Sequence, residues 1–380
     1  MSPPVLTHLG KHKVAWFMRE VWQRRPLLIR QALPALASPV TREQLFELAA
    51  RDDVQARCLT AFGGRWRLAH GPFERAALPP LTRPNWTVLV QGLDLHLPAA
   101  HSLLQRFRFI ADARLDDLMA SYATDGGGVG PHVDSYDVFL IQAQGRRRWR
   151  ISRQRDLALL DGLPLKILAS FRPSAEWVLE PGDVLYLPPG VAHDGVALGE
   201  CITLSVGFRA PAWQELVEPW FLQQAERTRL AGRYGDPGTA PTPRPGRLPS
   251  AMMEETWQHL SRLRPRRSDA VEMLLAQLTE PKPQVIFERP RRPSSLTVFS
   301  QAAAQGRLRL RADLRSRLLY AGRRFAINGE VYPPAAFDPR LARLADARQL
   351  DADSLRGAPA KLLQLLHEWL VAGWLRVERH

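Results

Sequence analysis

The chain has 380 residues, 45% of them hydrophobic, which is enough to build sizeable cores and predicts two or three domains. Its two cysteines, Cys58 and Cys201, exclude a disulfide framework and a four-cysteine metal site. The N-terminus does not resemble an export signal, and no apolar run approaches the roughly 20 residues that a membrane helix needs. We therefore expect a protein that acts in the cytoplasm and does not enter a membrane.

Positive charge is the second bulk property that bears on function. The formal net charge is +14 and the sequence pI is about 10.7. Residues 285–380 contain 17 Lys and Arg against nine Asp and Glu, and so carry +8 of this total. Such an excess favours acidic partners such as nucleic acid or a ribonucleoprotein, although a solvated basic surface with no partner would have the same composition.

The first 210 residues alternate short apolar runs with turn residues, a pattern typical of a β-sandwich or barrel. Helical spacing precedes these strands, and Thr41 with Gln44 predicts a capping box at the start of one helix. We expect the helices to pack against the barrel. The predicted strands include 88–90, 138–141, 184–187 and 202–206, and the predicted helices are 14–23 and 41–51.

The pattern becomes helical after the predicted barrel. Residues 213–234 and 250–264 have helical spacing, and Trp257 lies on the apolar face of the second segment. A Pro- and Gly-rich stretch at 235–249 separates the two, because no helix could continue through it. The second helix either packs on its own domain or contributes to a dimer interface.

The last hundred residues combine helices with a small hairpin, which suggests a winged helix. Asn328 and Gly329 predict a type I′ turn, and Gly373 is placed to end the last helix. The predicted elements are a helix at 296–305, a hairpin at 325–332, a helix at 360–372 and a strand at 374–377.

A candidate metal motif follows the glycine-rich stretch 126–130. Residues two apart on a strand share a face, so His132 and Asp134 project together while Val133 points away. An isolated His-x-Asp pair is usually a surface pair, but His193 follows a Pro-Pro-Gly turn about sixty residues on. Two imidazoles and one carboxylate on one side of a metal leave its other positions open, which suits non-heme iron(II).

Arg147 gives an independent indication of a ligand. Strand alternation places it on the same face as Trp149 and Ile151, opposite to the neighbouring arginines. If that apolar face is inward, Arg147 is a buried cation that needs a carboxylate. The far carboxylate of a dicarboxylic co-substrate fits this position, and an ion pair with a protein Asp or Glu is the alternative.

Together these residues resemble the Jumonji-C (JmjC) oxygenases. The match is closest to the bacterial ribosomal oxygenases that hydroxylate an arginine of large-subunit ribosomal protein sixteen. The combination of Gly-Gly-Gly-Val-Gly-Pro-His-x-Asp with Gly-Arg-Arg-Arg-Trp is highly specific. The stretches that carry the resemblance are 22–30, 70–73, 116–119, 126–149, 188–190 and 205–211.

The resemblance implies an α+β fold. A double-stranded β-helix, the jelly-roll or cupin-like JmjC barrel, would occupy residues 1–211. A helical dimerisation region would follow at 212–283, and a winged-helix domain at 284–380. The protein would accordingly be a homodimer.

The resemblance also implies the site chemistry. Iron(II) would be held by His132, Asp134 and His193, and 2-oxoglutarate would bind through Arg147 with help from the Ser121 hydroxyl. Dioxygen would be the third reactant. No catalytic residue beyond the metal centre is expected.

The substrate implied is a protein arginine, hydroxylated at C3. Tyr136 and Asp137 follow the metal strand and are predicted to meet the guanidinium at the barrel mouth, although both could equally be strand-edge packing residues. Ala123 and Thr203 stand where other polar residues are expected near the cavity.

Three alternatives stay open at this stage. The same chemistry could act on another ribosomal residue such as a histidine, or on nucleic acid. A cupin-like sensor barrel could be joined to a DNA-binding winged helix, although the arginines of 307–317 alternate as in a strand rather than as in a groove-reading helix. A barrel that binds without catalysis is the third alternative.

Overall fold

A computed structural model of the chain describes residues 4–63, 65–163, 165–227, 248–261 and 266–378. The end of the helix predicted at 213–234, most of the break predicted at 235–249, and Leu263 lie outside these residues. Within them, no helix is both long enough and apolar enough to span a bilayer. The helices are α1 (Val14–Glu20), α2 (Arg42–Ala49), α3 (Pro98–Gln105), α4 (Trp213–Arg227), α5 (Ser250–Ser261), α6 (Arg267–Thr279), α7 (Leu296–Ala304), α8 (Pro339–Ala347), α9 (Ala352–Leu355) and α10 (Ala360–Val371).

The strands fall into an N-terminal and a C-terminal group. The N-terminal strands are β1 (His8–Leu9), β2 (His12–Lys13), β3 (Leu27–Ile29), β4 (Ala56–Phe62), β5 (Arg65–His70), β6 (Trp86–Val90), β7 (Leu115–Ala123), β8 (His132–Val133), β9 (Asp137–Ser152), β10 (Ala175–Leu179), β11 (Val184–Leu187) and β12 (Ala192–Phe208). The C-terminal strands are β13 (Leu310–Ala312), β14 (Leu318–Ala321), β15 (Arg324–Ile327), β16 (Glu330–Tyr332), β17 (Gln349–Leu350) and β18 (Leu375–Val377).

Ten of the N-terminal strands form one antiparallel sheet. Its order is β3-β11-β9-β12-β7-β6-β4-β5, with β10 paired to β9 and β8 paired to β12. The long strands β9 and β12 run antiparallel from Ala192 opposite Ser152 to Phe208 opposite Asp137, with register shifts near Ile202. This pairing forms the centre of the sheet and brings chain segments about sixty residues apart into contact.

Side-chain alternation gives β9 two apolar faces. Phe139 and Ile141 belong to the main core, together with Phe17 of α1. Val138 and Leu140 belong to a separate cluster on the inner side of the sheet. The helices therefore cover the outer face, as the sequence predicted, and the inner face is left to enclose a cavity.

The local signals in the sequence produced the expected elements. Thr41 caps α2, and its capping box with Gln44 is complete. Asn328 and Gly329 have φ of 52° and 89°, so the C-terminal hairpin turns through two left-handed residues as a type I′ turn requires. The helix predicted at 14–23 is shorter than expected and ends at Glu20.

The C-terminal residues have a core of their own, which includes Phe299, Phe325 and Trp369. Charged residues join this part of the chain to the barrel. The Lys282 ammonium lies 2.8 Å from the Asp117 carboxylate and 3.4 Å from that of Asp116. The segment that follows α6 therefore meets the barrel through ion pairs of the half-buried Lys282 with Asp116 and Asp117.

Candidate active site

The register of one short strand pair brings the metal donors together. His132 of β8 lies directly opposite His193 of β12, so the two imidazoles project from facing positions. Their ring centroids are 4.2 Å apart. The Asp134 carboxylate lies 3.9 Å from Nε2 of His132 and 3.6 Å from Nε2 of His193. Donor atoms of all three residues lie within 4.8 Å of one another, a spacing that one metal ion can bridge.

Backbone hydrogen bonds fix the orientation of both imidazoles. Nδ1 of His132 lies 2.9 Å from the carbonyl oxygen of Gly130, and Nδ1 of His193 lies 2.9 Å from that of Val191. A carbonyl can only accept, so each Nδ1 carries the hydrogen and each Nε2 keeps its lone pair. Both lone pairs are therefore available to a metal beside Asp134.

Burial keeps His193 in the form that binds metal. Desolvation, and next the neighbouring His132, lower the pKa of His193 to about 4. The ring is therefore neutral near pH 7, as a metal ligand must be. This donor set, two neutral imidazoles and one carboxylate on one side of a cavity, fits a non-heme iron(II) site.

The glycines before His132 are required by close backbone packing. A Cβ on Gly127 would lie 2.3 Å from the carbonyl oxygen of Trp86, and one on Gly128 would lie 2.5 Å from that of Gly195. A side chain at either position would push the loop away from its neighbouring strands. The glycine-rich stretch therefore holds the first two metal donors against β12.

The three donors open into a cavity of about 440 Å³. Its walls combine apolar side chains with a few polar groups, as is usual for small-molecule sites. Asp134 is the only carboxylate among the described residues that line it. Residues of the walls include Arg57, Leu59, Leu68, His70, Leu89, Met119, Ser121, Tyr136, Val138, Leu140, Arg147, Trp149, Lys166 and Thr203.

Arg147 is buried on this cavity, on the same face as Trp149 and Ile151, as strand alternation predicted. Its Nη1 donates to the Ser121 hydroxyl at 2.8 Å and to the Thr203 hydroxyl at 3.3 Å. Nε has no hydrogen-bond partner, and no Asp or Glu of the described chain pairs with this guanidinium. The alternative of an internal ion pair is therefore not supported, and the cation needs an anion from outside the chain.

The Gln142 side chain holds the Thr203 hydroxyl in place. Thr203 donates to the Gln142 side-chain oxygen at 3.0 Å, and Gln142 donates to the Gln144 carbonyl at 2.9 Å. Sequence reasoning noted Thr203 but assigned it no role, and it missed Gln142, because the contact depends on the register of β9 with β12. Ala123 lies buried in a small apolar cluster.

Asp137 does not lie at the barrel mouth, which corrects the sequence prediction. Its side chain is fully buried. It accepts hydrogen bonds from the Tyr186 hydroxyl at 2.6 Å and from Nε2 of Gln23 at 2.8 Å, and it pairs with Nη2 of Arg114 at 2.9 Å. Asp137 shares the outer face of β9 with Phe139, so alternation turns it away from the cavity.

Tyr136 does line the cavity, next to Asp134, and is 38% exposed. Partial burial, and then the Asp134 carboxylate, raise the pKa of its phenol. The phenol is therefore protonated at neutral pH and can donate a hydrogen bond. Its contact with substrate stays a prediction.

Comparisons with known proteins agree with this site. A family model described as a JmjC domain matches residues 102–216, and a ROXA-like winged helix matches residues 262–376. The crystal structure of the Escherichia coli ribosomal oxygenase YcfD has 30% sequence identity and a TM-score of 0.82, over 98% of this chain and 100% of that chain. The chain belongs to the JmjC ribosomal oxygenase family. The recognition and the fold class expected from the sequence are thereby confirmed.

A second structure of YcfD bears on the cofactors, and a sequence relative bears on how much of the chain is matched. A YcfD structure in complex with cobalt and 2-oxoglutarate aligns with a TM-score of 0.82, at 29% identity over 98% of this chain and 100% of that one. The Escherichia coli ribosomal protein uL16 3-hydroxylase is 38% identical over 231 residues, which cover 60% of this chain and 61% of the relative. The His-Asp-His set and the family support iron(II), 2-oxoglutarate and dioxygen as cofactors. The domain boundaries at 211 and 283 stay predictions.

Replacing Asp137 with alanine should unfold the protein more readily rather than weaken substrate binding. The change leaves Arg114, Gln23 and Tyr186 without their common acceptor, and breaking such a buried pair costs about 3 kcal/mol or more. Urea unfolding followed by circular dichroism measures the loss. The matched control, Asp137→Asn, keeps an acceptor oxygen and should lose less stability. A fully stable alanine variant would contradict this structural role.

Replacing Arg147 with alanine should abolish 2-oxoglutarate binding while leaving metal binding intact. The guanidinium is the cavity's buried anion partner, but it lies outside the three-donor metal set. Calorimetric titration with Mn(II) and then with 2-oxoglutarate separates the two events. Arg146→Ala is the matched control, because Arg146 is exposed on the opposite face of the same strand. Equal loss of 2-oxoglutarate affinity in both variants would remove Arg147 from the site.

Proposed function

We propose that the chain is an iron(II)- and 2-oxoglutarate-dependent protein hydroxylase that acts at C3 of an arginine in large-subunit ribosomal protein uL16. The observation that carries the proposal is the placement of three metal donors beside a buried guanidinium that lacks a carboxylate partner. The name of the Escherichia coli relative, ribosomal protein uL16 3-hydroxylase, supports the choice of substrate. Such a substrate would also place the enzyme in the cytoplasm.

When bound, iron(II) and 2-oxoglutarate activate dioxygen for insertion of one oxygen atom into a carbon–hydrogen bond. The chain's own residues position these reactants. His132, Asp134 and His193 would hold the metal on one side, and Arg147 would hold the far carboxylate of 2-oxoglutarate. Ser121 and Thr203 orient that guanidinium.

Apolar side chains of the cavity wall would limit the access of water to the reaction. Val138, Leu140 and Trp149 form the apolar cluster on the inner side of the sheet, next to the metal donors. The reaction requires no general base, and the one carboxylate of the described cavity wall, Asp134, is a predicted metal ligand. Tyr136 is the residue proposed to contact the substrate at the mouth.

The function is tested by mass spectrometry on peptides. A uL16 peptide incubated with enzyme, iron(II), 2-oxoglutarate and dioxygen should gain the mass of one oxygen atom at its arginine, with formation of succinate. His193→Ala should be inactive because it removes a metal donor. Ribosomal peptides that present a histidine test the same chemistry on the alternative residue. Oxidation of histidine and not of arginine would replace the proposed substrate.

The sensor-regulator alternative finds no support in the C-terminal helix. A groove-reading helix needs several cations and base-reading side chains on its exposed face. Helix α10 exposes a single basic residue, Lys361. The intact donor set also argues against a barrel that only binds.

We further propose that the protein is a homodimer joined through α4 and α5. None of the described side chains of these helices is buried, although both carry large apolar groups. Trp213 is 83% exposed, Trp257 65% and Phe221 61%. A soluble monomer rarely leaves so many aromatic side chains in water, and such a surface marks an interface.

Replacing both Phe221 and Trp257 with glutamate should convert the dimer to a monomer. Charged groups in an apolar interface carry a large desolvation cost. Sedimentation velocity measures the mass of each variant. Phe62→Glu is the matched control, because Phe62 is 75% exposed but lies at the tip of the β4–β5 hairpin. A wild-type protein that sediments as a monomer would refute the dimer.

A further inference from the structure

The loop between β9 and β10 is rich in apolar side chains although it lies on the surface. Residues 157–169 contain six leucines and one isoleucine, and their only charged side chains are Asp161 and Lys166. Three of the leucines leave much of their surface in water: Leu157 is 40% exposed, Leu159 46% and Leu160 41%. Neighbouring apolar groups that stay exposed in this way mark a binding surface.

Backbone contacts fix this loop beside the metal donors. The loop folds back on itself as a short hairpin, in which Leu159 pairs with Leu168. The backbone N–H of Leu168 donates to the carbonyl oxygen of Pro131 at 2.8 Å, and Pro131 directly precedes the metal donor His132. The hairpin is therefore attached to the segment that carries the first two donors.

One side of the hairpin belongs to the cavity. Leu165 and Ile167 line the cavity wall. The backbone N–H of Leu160 donates to the Ile167 carbonyl oxygen at 2.8 Å, so these two residues lie side by side. Because Leu159 is paired with Leu168, alternation puts Leu160 and Ile167 together on the other side of the hairpin. Leu160, Leu165 and Ile167 thus form an apolar lip, which continues the cavity wall to the surface.

The apolar lip lies where a protein substrate has to pass. The cavity of about 440 Å³ is the size of a small-molecule site. Besides the co-substrate it can admit a single side chain, so the rest of a protein substrate has to lie outside. Lys166, between Leu165 and Ile167, lines the cavity and is also exposed, so the hairpin reaches the opening. A substrate at this opening therefore contacts the apolar lip.

The charges of the cavity wall favour an apolar contact with the substrate over an ionic one. Asp134 is the only carboxylate among the described wall residues, and it is a predicted metal ligand. Arg57 and Lys166 belong to the same wall and are cations. A substrate that carries an arginine is therefore offered no carboxylate to pair with at this wall. Its affinity has to come chiefly from apolar burial and from hydrogen bonds to neutral groups.

We propose that the apolar lip binds an apolar side chain of the substrate that neighbours the hydroxylated residue. This inference rests on the proposed protein hydroxylase function and deepens it. An apolar side chain that covers Leu160 removes the exposed surface of both groups from water, which stabilises the complex. Because the hairpin is attached to the metal-binding segment, this contact sets which substrate residue reaches the metal. The lip thus selects sequences in which the hydroxylated residue has an apolar neighbour.

Peptide binding tests the apolar lip. Fluorescent arginine peptides with one leucine at each neighbouring position, and the same peptides with serine in its place, are titrated into protein loaded with Mn(II) and 2-oxoglutarate without oxygen. Wild-type protein should bind the best leucine peptide about tenfold tighter than its serine partner, as expected for burial of one leucine side chain. Leu160→Asn should lower this ratio to about threefold or less, because it replaces the exposed part of the lip with an amide.

Leu159→Asn is the matched control, because Leu159 is equally exposed in the same hairpin but lies on the side away from Ile167. It should keep the tenfold ratio. A wild-type ratio near one, a ratio unchanged in Leu160→Asn, or an equal drop in both variants would overturn the proposal. So would a dimer that Leu160→Asn converts to a monomer in sedimentation velocity, since a second copy of the chain would then cover the lip. Failure of the hydroxylase function is seen separately, as no mass gain by any peptide.

Discussion

The pairing of β12 with its neighbours is the constraint on which the site depends. Antiparallel register fixes which side chains face one another, and a slip of one residue would turn every side chain of the strand to the other face. In this protein the register places His193 opposite His132 and Thr203 opposite both Ser121 and Gln142. The metal donors and the hydroxyl groups that orient Arg147 are therefore set by the same strand.

The cavity is built to receive anions. Arg147 is almost fully buried and Arg57 is half-buried, yet neither has a carboxylate partner in the described chain. Burying a cation in this way destabilises the empty protein, and binding of a carboxylate relieves the cost. Binding of a carboxylate co-substrate at Arg147 would therefore recover part of the free energy that burial of this guanidinium costs.

The buried charge on the outer face of β9 has its partners within the protein. Asp137 is also a buried charge, but Arg114, Gln23 and Tyr186 satisfy its oxygens completely. Its hydrogen bond with Gln23 holds the N-terminal segment against the centre of the sheet. The same strand thus holds a satisfied structural charge at Asp137 and an unsatisfied ligand-binding charge at Arg147. The inner face of β9 changes from even-numbered residues, such as Val138 and Leu140, to odd-numbered ones, such as Trp149, where the pairing with β12 shifts register.

The sequence by itself determined the elements and the chemistry that have local signatures. The His-x-Asp spacing, the apolar face shared by Arg147 and Trp149, and the Asn-Gly turn follow from short-range geometry, and the structure contains all three. Only the tertiary structure decided the environments of Asp137 and Arg57. Each depends on residues brought together by strand pairing and by packing of distant segments, and a linear pattern does not contain that information.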